Sequence, residues 1–186
     1  MQQQHNITNL FYVGNVSIKL KINDKIVNIE NHNRGLLALQ RAFCDFITGN
    51  TITNESVPQF MDLRCSVQGA NNFNTSLLLN KLPLTGKSWE EGRYVYDNND
   101  EERTCVAKLT AVLSSNSLIE KISSSDTRDF RLYLLSGSNG IVNGQVSGYF
   151  EMAYLGISAE QLSLIGPGSQ AIIEWSLQLL TGEVVE

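Results

Sequence analysis

The chain has 186 residues, of which 42% are hydrophobic and 18% charged, and a net charge of -5. That is enough chain for one ordinary core, and its acidity argues against a surface that gathers nucleic acid by neutralising phosphates. No run of about 18 apolar residues offers a helical membrane span, and Met1 to Asn6 lacks both the basic start and the apolar middle of a secretory signal, which places synthesis and assembly in a cytoplasm.

Residues 1–9 are polar and read as a flexible N-terminal arm, with residues 10–186 as a single domain. Val16, Ile18, Leu20 and Ile22 alternate with Ser17, Lys19, Lys21 and Asn23, the two-residue period of a strand with one buried face. Asn23, Asp24 and Lys25 form a turn, and Val27 and Ile29 continue the alternation behind it, which predicts a β-hairpin. A helix is predicted next, over about residues 33–48. Leu36, Leu39, Phe43, Phe46 and Ile47 recur at the spacing that lines up one helical stripe for burial, Asn33 is placed to cap the first turn, and Gly49 is placed to end the last.

The rest reads as strand and turn. Leu63, Cys65 and Val67 alternate with polar neighbours, while Pro83 and Gly86 are expected to stop any long element after Leu77 to Leu79. A short strand is expected around Trp89 to Asp97, followed by the acidic run Asp97 to Glu102. That run lacks the helical flanks, turn glycine and distal glutamate of a calcium loop and reads as a solvated hairpin tip. Cys105 to Leu113 alternates on a long strand with two fairly apolar faces, as a central strand does. Leu118, Ile119 and Ile122 suggest a single helical turn inside a serine-rich stretch, and Arg128 to Ser136 returns to strand. Asn143-Gly144 is a hairpin signal, and Val146, Gly148, Phe150, Met152 and Tyr154 should share one side of the strand after it. Ser158 with Gln161 fits a capping box, Gly166 to Gly168 breaks the turn that follows, and Ala171, Ile173, Trp175, Leu177 and Leu179 mark a strong last strand.

Catalytic chemistry finds little footing. The two histidines are His5, in the N-terminal arm, and His32, in the turn before the predicted helix, where a backbone hydrogen bond is the plainer role than general-base work. Glu90 and Glu91 with Asp97 are the candidates for a carboxylate pair of the glycosidase type, but adjacent acids in a loop are ordinarily just solvated. Cys44, Cys65 and Cys105 are odd in number and without a histidine nearby, and they read as buried reduced thiols rather than a zinc site or a disulfide framework. No catalytic, cofactor-binding or metal-ligating residue is assigned, and no cofactor is expected.

Two features exceed the background: long Asn/Ser/Thr-rich loops between strongly patterned strands, and little charge for a soluble chain. Such a surface suits association with other protein. The plan of a Val16 to Ile29 hairpin, an Arg34 to Thr48 helix and β-strands with extended Asn/Ser loops resembles virion structural proteins of tailed bacteriophages, in the style of neck and tail components of phages that infect gut bacteria. The resemblance implies an antiparallel β-sandwich or β-barrel flanked by one helix and repeated around an axis as a homo-oligomeric ring. It also implies a non-enzymatic role in the neck or tail of the virion, assembled in the bacterial host cytoplasm. The expected partners are other copies of the chain and adjacent virion proteins; DNA passes through the conduit without specific binding, and no membrane is involved. The loops from Gln68 to Ser76 and from Ser114 to Ser125, with residues 1–9, are the expected contact segments. A capsid decoration or fibre-base protein is the alternative among structural roles. From another class comes a carbohydrate-binding β-sandwich module that would stack sugar on Trp89, Tyr94 and Tyr96.

Overall fold

A computed structural model describes residues 9–22, 25–32, 34–35, 42, 44–49, 57–67, 76–95, 101–137, 141–142, 145–146 and 149–182. The fold is mainly antiparallel β, as the alternation predicts. In chain order the strands are β1 (Asn9–Ile22), β2 (Lys25–His32), β3 (Arg34–Gly35), β4 (Pro58–Ser66), β5 (Ser76–Val95), β6 (Glu101–Ser114), β7 (Phe130–Gly137), β8 (Ile141–Val142), β9 (Gln145–Val146), β10 (Tyr149–Ile157) and β11 (Gln170–Gly182). Helix α1 covers residues 44–47, a 3-10 turn covers Ile119–Lys121, and α2 covers Ala159–Ser163.

The main sheet has the order β2-β1-β11-β6-β5-β4-β7-β10-β3. It is open, so neither a closed barrel nor a two-sheet sandwich is confirmed by its hydrogen bonding. Strand β5 serves two arms. Its first part, Ser76 to Pro83, pairs with β4, and its second part, Leu84 to Val95, pairs with β6. The other end of the order is bordered in the same way, because β2 and β3 are separated by residue 33 alone, yet β2 pairs with β1 and β3 with β10.

One core is drawn from both arms. Leu109, Ala111 and Leu113 of β6 stand opposite Trp175, Ile173 and Ala171 of β11. Met61, Leu63 and Cys65 of β4 stand opposite Leu134, Leu132 and Phe130 of β7, and all of these belong to the same buried cluster. At about 1.5–3 kcal/mol for each fully buried large apolar side chain, this cluster is the main stabilising term of the fold. Ile119, Ile122, Leu162 and Ile165 cover one end of it. That end is held by polar bonds: Asn116 Oδ1 accepts from the Leu118 and Ile119 amides at 3.0 Å, Asn116 Nδ2 donates to the Leu79 carbonyl at 3.1 Å, and Ser115 Oγ accepts from the Gly168 amide at 3.0 Å. The serine-rich stretch is therefore fastened to its own chain. The predicted capping box is present, with Gln161 N–H donating to Ser158 Oγ at 3.1 Å and Ser158 N–H donating to Gln161 Oε1 at 2.9 Å.

Several expectations are corrected. The helix does not begin near residue 33: Arg34 and Gly35 are a strand paired with Tyr154 and Ala153. A glycine costs about 1 kcal/mol in a helix interior, and pairing with a strand distant in sequence overrides the helical pattern there. Within the helical residues, Phe46 is 67% exposed and Ile47 64%, so these two do not face the core. Asn33, Leu36, Leu39 and Phe43 lie outside the described residues. Gly49 does end the helix, at φ 70.

Pro83 and Gly86 do not stop β5. Pro83 is the last residue paired with β4 and Leu84 the first paired with β6, so the ring's missing amide falls where the strand changes partners. Strand β10 carries a register shift between Glu151 and Ala153, which buries Met152 and also turns Ala153, Leu155 and Ile157 into the core, leaving Phe150 exposed. Of the cysteines, Cys65 alone is buried; Cys44 and Cys105 are exposed.

Candidate functional site

The outer face of the second arm holds an organised group of polar and aromatic side chains. Strand alternation sends Met61, Leu63 and Cys65 inward and leaves Phe60, Asp62 and Arg64 on the other face. Register then assembles a row across four strands, with Lys81 opposite Asp62, Asp62 opposite Tyr133, and Tyr133 opposite Tyr154. Arg64 and Arg131 are also directly opposite each other, a like-charge pairing that destabilises a sheet unless the groups diverge. They diverge. The Arg64 guanidinium lies 4.5 Å from the centre of the Tyr133 ring, Arg131 lies 5.0 Å from that of Tyr154, and the two tyrosine rings are 5.7 Å apart.

Arg64 joins the acids of this face. It donates to Asp62 Oδ2 at 3.1 Å and to Glu151 Oε1 at 2.6 Å. Asp62 is only 7% exposed, and its Oδ1 is buried without a hydrogen-bond partner among the described residues. Burial pushes the Asp62 carboxyl above its ordinary range, and the bond to Arg64 offsets this only in part. Burial alone lowers the Arg64 guanidinium, but its bonds to Glu151 and Asp62 outweigh that and raise it. Lys81 caps the other side, with its ammonium 4.6 Å from the centre of the Phe60 ring.

Beside this face is an open cavity of about 490 Å³, lined among others by Arg128, Asp129, Arg131, Tyr154, Gly156 and Ser158. Arg128 is committed elsewhere: its Nη2 reaches Asp126 Oδ2 at 2.6 Å and its Nε reaches Asp126 Oδ1 at 3.0 Å. The hydrogen bond from Arg128 holds the Asp126 carboxyl below its usual range. Arg128 Nη1 also approaches the Cys65 sulfur at 3.7 Å, yet burial dominates and pushes that thiol up, away from a reactive thiolate.

The residues weighed from the sequence are not brought together. Glu90 pairs with Lys108 at 2.6 Å, whereas Glu91 stands opposite Cys105, and neighbours in a strand point to opposite faces. His32 is in β2 opposite Asn15, with its side chain outside the described residues, as are His5 and Asp97 altogether. Among the described residues no group of three or more His, Cys, Asp or Glu is placed to hold a metal ion, and no helix is long and apolar enough to cross a membrane.

A third feature is the reach of the first arm past the core. Lys87 Nζ donates to Gln59 Oε1 at 3.2 Å at the rim. Beyond it β6 and β11 stay paired only as far as Val106 and Gln178, while β5 and β6 run on together to Val95 and Glu101, and β1 and β11 to Asn9 and Gly182. The arm therefore divides into two ribbons. Trp89 lies past the rim and is 69% exposed, and Glu91, Arg93 and Cys105 are exposed beyond it. Tyr96 and the side chain of Tyr94 lie outside the described residues, so the three-ring platform is not assembled by what is described. Sequence reasoning missed the Asp62 row, because alternation shows which residues share a face of one strand but not which strand lies alongside. No protein family, curated protein or solved structure matches this chain.

Proposed function

We propose that the chain is a non-enzymatic structural protein of a tailed-phage virion that assembles with copies of itself into a ring in the neck or tail. The observation that carries this reading is the first arm running past the core, so that a face lined by Leu109 and Trp175 inside the molecule emerges into solvent at Trp89. A free monomer gains nothing by exposing such a face; burying it against neighbouring subunits does. Identical subunits bury surface most completely under closed rotational symmetry. A net charge of -5 suits the wall of a conduit through which DNA slides without sticking.

The reading is tested on the particle. Mass spectrometry of purified virions should detect the chain, and an image reconstruction should place it as a closed ring on the tail axis. Density scattered as single copies over the outer capsid would replace the ring with a decoration role. Absence from virions together with turnover of a substrate would remove the structural reading altogether. The exposure of Trp89 also favours a second reading, a carbohydrate-binding module. Saturable quenching of Trp89 fluorescence by an oligosaccharide, lost in Trp89→Ala, would support that reading against the first.

A further inference from the structure

We draw no further inference here: the strongest candidate, the open cavity bordered by β7, β10 and the start of α2, belongs to the site already described, and its arginines are engaged within the chain, Arg128 with Asp126 and Arg131 over the Tyr154 ring.

Discussion

Two buried polar atoms set the energetics at the scale of single residues. Asp62 is buried on the outer face with one oxygen bonded to Arg64 and the other without a partner among the described residues. Burial raises its folded-state pKa above the ordinary value of 3.8, so the folded chain takes up the proton more readily than the unfolded one. The stability this group contributes is complete below the unfolded value and is lost as pH rises through the folded value. Asp62→Asn removes the titration, so its urea midpoint should gain on that of the wild type between about pH 3 and about pH 7. A difference that shrinks with rising pH would show that Arg64 outweighs burial. Trp175 presents the second case, a fully buried indole whose Nε1 has no acceptor among the described residues. Replacing it with Phe relieves an unsatisfied donor worth about 1–3 kcal/mol and opens a cavity worth about 1 kcal/mol. The two oppose each other, and Trp175→Phe is expected to lie between no change and a gain of about 2 kcal/mol in denaturant titration. A loss above about 3 kcal/mol, the lower end for truncating an aromatic outright, would show that the indole N–H does have a partner.

Helix α1 and strand β5 show how elements depart from local pattern. The stripe that ends in Phe46 and Ile47 has the spacing of a buried face, yet both side chains are exposed in α1. Truncating either to Ala should move the urea midpoint by no more than about 0.5 kcal/mol in stability, the range of surface substitutions. A cost of about 3 kcal/mol would restore the buried stripe. Strand β5 makes the opposite departure, since its proline and glycine read as breakers and the strand continues through both. Backbone chemistry limits proline to places where no amide is needed, and a change of pairing partner is such a place. Propensity described the residue correctly there, and only its neighbours were missing.

At the scale of the whole molecule, thiol accessibility reports the architecture. Cys44 and Cys105 are exposed and Cys65 is fully buried in the core formed by both arms. Titration of the native protein with a chromogenic disulfide reagent should modify Cys44 and Cys105 promptly and Cys65 only on unfolding. Prompt reaction of all three would mean that the arms open on the timescale of labelling and do not share a stable core. A reductant should leave the thermal midpoint unchanged, because all three cysteines are free.

The sequence by itself determined the central strands β6 and β11 and their buried faces. Ala171, Ile173 and Trp175, or Leu109, Ala111 and Leu113, are legible because side chains alternate across any strand whatever lies beside it. It also determined the local motifs whose partners are a few residues away: the hairpin of β1 and β2, the capping box at Ser158, the 3-10 turn at Ile119 and the helix stop at Gly49. Tertiary structure alone decided what depends on strands meeting from far apart in the chain. It made Arg34 and Gly35 a strand by setting them against β10, carried β5 through Pro83 from one partner to another, and shifted β10 by one residue at Met152. It also built the Lys81, Asp62, Tyr133 and Tyr154 row, whose members lie on four strands and are polar or aromatic residues of no evident distinction until register aligns them. The physical reason is the same in each case: alternation and capping are satisfied within one segment, whereas register is fixed by hydrogen bonds and packing between segments, and one sequence window contains only one side of each such pair.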